Sequence, residues 1–187
     1  MRLSVAGTGL ALGLATLAGL ASGRNIDTEA SRDAAVPILM YHVVSDPLAS
    51  APFPELYVSP KDFAGQMRWL DRNGYTAVTL RDVWDHWHRG GPLPEQPVVV
   101  TFDDGYRSTA TRAAQVLRVH RWPGVLNLDA SNINADEGFG EDRIAQLLRA
   151  GWELNSHSLT HPDLTTLGRD ALLDEVSGSR KLLRRTF

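Results

Sequence analysis

The feature that most constrains this chain is the run Pro97-Val98-Val99-Val100-Thr101-Phe102, followed at once by Asp103-Asp104-Gly105. An unbroken apolar stretch of this kind suits a strand buried on both faces, the habit of parallel sheets. Two adjacent carboxylates at the end of such a strand are costly unless a cation or a proton offsets them, or a solvated turn exposes them. Gly105 permits a sharp backbone turn at that point.

The rest of the chain repeats the strand signal at intervals. Short apolar runs over 36–41, 75–80, 125–128 and 152–156 join 97–102 as predicted strands, five in all. Helical patterns separate them. Ser59-Pro60 starts a helix with Phe63, Met67 and Leu70 on one face, and Asn73-Gly74 stops it. A second helix carries Val83, Trp84 and Trp87 and ends at Gly90-Gly91. Further helices are expected over 108–120, over 141–150 with Ile144, Leu147 and Leu148 on one face, and at the end, marked by Leu172, Leu173, Val176, Leu182 and Leu183. Residues 43–58, with Pro47, Pro52 and Pro54, and the polar stretch 129–140 read as loops. Alternating strands and helices imply parallel βαβ units, with all strand C-termini at one end. His42, the Asp103-Asp104 pair and His157 follow the first, third and fifth strands. That end is where α/β folds build their sites.

Composition narrows the classes of partner. A net charge of −3 leaves no broad basic field for nucleic acid. Arg180, Lys181, Arg184 and Arg185 alternate with Leu182 and Leu183, as on the solvated face of a helix. The chain has no cysteine, so disulfides and thiolate metal sites are excluded and any metal is held by His, Asp or Glu. Arg2, the uncharged stretch 3–23 and small residues at its end read as a secretory signal over 1–23, with an uncleaved membrane anchor as the rival. A polar linker over 24–35 and one domain over 36–187 follow, and the expected location is secreted or associated with the cell envelope.

His157 and His161 lie four residues apart, a spacing that brings two imidazoles to one face of a helical turn. Neutral imidazoles so placed bind zinc and similar metals. On the functional reading one carboxylate of the Asp pair completes a two-His, one-carboxylate site and the other stays free as a base beside the metal-bound water; the rival reading is a solvated Asp-Gly turn and a chance pair of surface histidines. His86 and His88, two apart, are poor joint ligands; Trp69, Trp84 and Trp87 have core-like spacing and are expected to pack inside. Asp129, Asn132, Asn134, Asp136 and Glu137 are expected in a solvated loop, with contacts to a ligand's hydroxyls as the rival reading.

Residues 101–106 and 157–161 closely resemble the first two motifs of the carbohydrate esterase family 4 polysaccharide deacetylases, the NodB-like group. The flanking text is similar too: Ile38-Leu39-Met40-Tyr41-His42-Val43, Asn73-Gly74-Tyr75 and 156–164. The similarity runs over roughly residues 36–185. It implies a distorted (β/α)7 barrel, here incomplete with five strands, and metal-dependent removal of N-acetyl groups from peptidoglycan, chitin-like or poly-N-acetylglucosamine chains. By resemblance Asp103 is the catalytic base, while Asp104, His157 and His161 bind a divalent metal, zinc by preference. Tyr41-His42 resembles a Tyr-His motif in a circularly permuted branch acting on poly-N-acetylglucosamine, which gives His42 the role of general acid; a structural histidine at a strand end is the other reading. The family's third motif, an aromatic-Pro-Tyr-Gly-like loop, and a later supporting acid have no counterpart before Phe187. The expectation is therefore a truncated domain, with a catalytically incomplete metal- and carbohydrate-binding remnant as one alternative and a small-amide hydrolase on the same fold as another. No protein partner is expected.

Overall fold

The computed structural model describes residues 35–136 and 138–187; the expected signal segment, the linker up to residue 34 and Glu137 lie outside them. Along the chain the strands are β1 (Ile38–Tyr41), β2 (Val43–Val44), β3 (Tyr57–Val58), β4 (Thr76–Val78), β5 (Pro97–Asp104), β6 (Val125–Leu128) and β7 (Glu153–Ser156). The α-helices are α1 (Pro60–Arg72), α2 (Leu80–Arg89), α3 (Ala114–His120), α4 (Glu141–Arg149), α5 (Arg169–Leu173) and α6 (Ser179–Thr186). A π-helical turn, Asp174–Gly178, joins the last two into one continuous element. None of the helices among the described residues is long and apolar enough to cross a membrane.

The valine-rich run becomes β5, the centre of a five-stranded parallel sheet. β1 lies along one edge, with Tyr41 opposite Phe102; β6 lies along the other, with Asp103 opposite Asn127, and β7 follows β6. Val99 pairs with both Ile38 and Val78, so β4 shares the β6 side of β5 at the start of the strand. β2 and β3 form a separate parallel pair. The architecture is α/β, in keeping with part of a barrel.

Alternation along β5 divides its side chains. Val98, Val100 and Phe102 are fully buried in the main core with Phe63 and Met67 of α1, Leu117 of α3 and Ile144 of α4. The rings of Tyr41, Phe63 and Trp152 surround Phe102 at centroid distances of 5.0–5.8 Å among the group. Val99, on the opposite face, joins a smaller cluster with Val78, Val83 and Val125. Local chemistry sets the helix ends. Ser59 Oγ accepts from Asp62 N at 3.0 Å, Thr79 and Asp82 form a reciprocal capping box, and Gly90 closes α2 in the left-handed region at φ 71°.

Several sequence expectations are corrected. Ile38 and Met40 of β1 are 51% and 66% exposed, so this strand is not buried on both faces. Trp69, Trp84 and Trp87 are exposed rather than in the core. Trp69 stacks on Tyr75, while Trp84 stacks on His88 and takes the Arg89 guanidinium over its ring. Their spacing marks a helix face, but Val83 is the buried residue of α2. In the final helical element Leu172, Leu173 and Val176 are exposed and Leu183 is buried.

Candidate metal centre

Asp103 and Asp104 end β5 itself rather than following it. Asp103 is buried, and its Oδ1 accepts a 2.8 Å hydrogen bond from Nδ2 of Asn127, its partner in register. Asn155 of β7 stands in register with Asn127. Partners across a parallel sheet share a face, so one polar row runs through the ends of three strands.

At Asp104 the backbone leaves the extended region. Its φ is 67° and that of Gly105 is 92°. A left-handed non-glycine residue costs on the order of 1–3 kcal/mol and persists only where its surroundings hold it. Here Asn132 Nδ2 donates to the Asp104 carbonyl at 3.0 Å, and the pairing with Leu128 fixes the strand end. At Gly105 a Cβ would lie 2.3 Å from Leu128 Cδ1, so only glycine fits this left-handed turn without displacing the Leu128 side chain.

The histidines arrive from β7. His157 N donates to the Leu128 carbonyl at 2.9 Å, which carries the sheet one residue past Ser156. The segment that follows is an irregular loop, not the helical turn expected from the spacing. Ser158 and His161 are both left-handed, at φ 70° and 54°, and His161 N donates to Ser158 Oγ at 3.0 Å. Two left-handed residues fold the loop back, and the imidazoles still meet, with ring centroids 4.8 Å apart.

The loop brings Asp104, His157 and His161 together. Asp104 Oδ1 lies 3.5 Å from His157 Nε2 and 3.3 Å from His161 Nε2. It is buried and makes no hydrogen bond. A buried carboxylate oxygen without a donor is costly, and two imidazole nitrogens face it without donating to it. Ligands about 2.0–2.1 Å from a tetrahedral zinc stand about 3.4 Å from one another, close to both carboxylate-to-imidazole separations. The three donor atoms lie within 4.8 Å of one another. The residues fit a divalent metal with two nitrogen ligands and one oxygen ligand. His161 is 52% exposed and His157 34%, so the centre opens to solvent on the histidine side.

His42 stands apart from this triad. It directly follows β1, whose last pair joins Tyr41 to Phe102, and it is half-buried. Tyr41 belongs to the core instead: its hydroxyl donates to Gln66 Oε1 at 2.8 Å, and burial raises its phenol above the usual range. Asn127 and Asn132 were not singled out by sequence for the roles they have. The signal for Asn127 was a polar residue inside the run 125–128, at the height of the Asp pair. Asn132 holds the Asp104 backbone instead of facing solvent from a loop.

The sequence profile of the polysaccharide deacetylase family matches residues 90–187, and the chain belongs to that family. A poly-beta-1,6-N-acetyl-D-glucosamine N-deacetylase of Escherichia coli (strain K12) is 36% identical over 120 residues, 62% of this chain and 17% of that protein. The Bacillus subtilis (strain 168) protein YxkH, which carries a polysaccharide deacetylase name, is 28% identical over 156 residues, 83% of this chain and 54% of its own length. The chain thus spans about half of one relative and a sixth of the other. Among solved structures, a polysaccharide deacetylase from Bacillus cereus superposes with a TM-score of 0.70 at 28% identity, over 81% of this chain and 47% of that one. A Streptococcus pyogenes deacetylase in complex with acetate shares the fold, with a TM-score of 0.71 at 20% identity, over 81% of this chain and 68% of that one.

Proposed function

We propose that this chain carries the metal-dependent centre of a polysaccharide de-N-acetylase, which hydrolyses N-acetyl groups of an amino-sugar polymer to acetate and free amine. The observation that carries the reading is the buried, donorless Asp104 Oδ1 facing two imidazole nitrogens at 3.3 and 3.5 Å. Asp104, His157 and His161 hold the metal, and zinc suits two imidazoles and a carboxylate. When bound, the metal supplies Lewis-acid polarisation of the acetyl oxygen and a water of lowered pKa.

The protein's own residues do the rest. Asn127 occupies Oδ1 of Asp103 and so leaves Oδ2 to take the attacking water's proton. The water oxygen bonds to the acetyl carbon, and the carbon–nitrogen bond then breaks. The leaving nitrogen takes a proton from His42, which follows β1, the strand paired with the one that carries Asp103. Of the polymers this chemistry serves, the Escherichia coli relative favours poly-N-acetylglucosamine. An exported protein meets such a polymer, and the apolar stretch 3–23 between Arg2 and Arg24 supports export.

The test is acetate release by the full chain from N-acetylglucosamine oligomers, with zinc and then with chelator. Zinc-dependent release that Asp103→Asn reduces by at least about 100-fold, the lower range for a positioned base, is the expected outcome. Folded protein that binds zinc yet releases no acetate would instead mark a metal-binding remnant.

A further inference from the structure

Beyond His157 the loop leaves the sheet ladder; Ala130 N donates to the Ser158 carbonyl at 3.3 Å, and a side chain holds the stretch that follows. Glu175, on the π-helical turn of the last helical element, reaches across to it. Its Oε2 accepts from Leu159 N at 2.8 Å and from Thr160 N at 2.9 Å, and its Oε1 accepts from Thr160 Oγ1 at 2.6 Å. Consecutive amides beside a left-handed residue form a concavity suited to an anion, and Ser158 is that residue. The Thr160 hydroxyl holds the Glu175 carboxyl below its usual range, consistent with a carboxylate seated on these donors.

Four residues further on, the same element grips the other end of the loop. Ser179 is fully buried, and its hydroxyl lies 2.6 Å from that of Ser156. Ser179 Oγ donates to the Val176 carbonyl at 3.1 Å, so it accepts from Ser156. Ser156 immediately precedes His157, and Leu159-Thr160 immediately precede His161. One helical element therefore clasps the chain just before each imidazole.

We propose that Glu175 is a positioning residue for the metal centre: its carboxylate, hydrogen-bonded to residues 159 and 160, sets the distance between the two histidine ligands. The inference rests on the metal reading above. Outer partners that orient metal ligands typically contribute about 10- to 100-fold to metal affinity. Glu175→Ala is expected to weaken zinc binding by that factor in a calorimetric titration of the full chain. Glu175→Gln keeps an oxygen acceptor for both amides and should return affinity to within about threefold of the parent. Asp82→Ala, which breaks the α2 capping box and removes no contact to residues 157–161 among the described residues, controls for stability: it should lower the melting temperature and leave zinc affinity unchanged.

Parent-like affinity in Glu175→Ala, or a loss matched by Asp82→Ala, would overturn the proposal. Should the parent chain bind no zinc, the metal reading fails, and the clasp is judged on hydrogen exchange without metal. Glu175→Ala should then speed exchange at the Leu159 and Thr160 amides, with Glu175→Gln restoring protection. Unchanged exchange at both amides sinks the clasp as well.

Discussion

The buried middle of β5 around Phe102 and its carboxylate end at Asp103 and Asp104 are two sides of one strand held by different means. On Phe102's side the contacts are non-directional: four helices and strands deliver apolar groups that are fully buried, and rings fill the remaining space. At the carboxylate end, shape depends on single directed contacts, Asn127 to Asp103 and Asn132 to the Asp104 carbonyl, and on left-handed backbone at Asp104, Gly105, Ser158 and His161. Burial accounts for stability on one side, while on the other conformational cost is spent to point donors at a common centre. If that division is real, substitutions on the two sides should separate stability from metal binding.

The largest effect is expected in the core. Phe102→Ala removes a fully buried ring in contact with Tyr41, Phe63 and Trp152, and should cost about 3–5 kcal/mol in urea unfolding. Zinc affinity of the fraction that stays folded should change little. A loss of affinity as large as the loss of stability would break the division, because it would show the core side chain steering the site.

His157→Ala is the opposite probe. It removes a proposed ligand whose ring is one-third exposed and whose backbone bond to Leu128 survives the change. Zinc affinity should fall by at least about 100-fold, more than for an outer partner, while metal-free stability stays within about 0.5 kcal/mol. Calorimetric titration and urea unfolding on the same preparation check both halves.

The same division explains what could be read from sequence. The parallel α/β order, the caps at Ser59 and Gly90 and the buried helix face of Phe63, Met67 and Leu70 follow from periodicity and local preference, and all are present. The three residues now facing one centre could be named because two motifs carry them. Their geometry could not, since the four-residue spacing of His157 and His161 suggested a helical turn and the chain instead uses two left-handed residues. Helical spacing likewise says that Trp69, Trp84 and Trp87 share a pattern, not which way the helix presents it. Long-range hydrogen bonds such as Asn132 to Asp104 depend on which loops the fold brings together, and no local rule reports that.

Gly105→Ala should show where the two sides meet, with the smallest effect of the three. The residue sits at φ 92°, where a side chain is strained, and an added Cβ would fall 2.3 Å from Leu128 Cδ1. Leu128 is a buried core residue, paired in register with Asp104, and its carbonyl receives His157 N. Displacing the Leu128 side chain is expected to loosen core packing and to disturb the strand end that receives His157, a proposed ligand. A stability loss of about 1–3 kcal/mol is expected, with zinc affinity reduced in the same variant. Combining Gly105→Ala with Leu128→Ala separates the causes. Relieving the clash should restore much of the zinc affinity if the steric path through Leu128 carries the effect, although the truncated core becomes less stable still. If affinity stays low, the strained backbone at residue 105 itself misplaces Asp104, and the boundary between the two sides lies in the chain's conformation rather than in its packing.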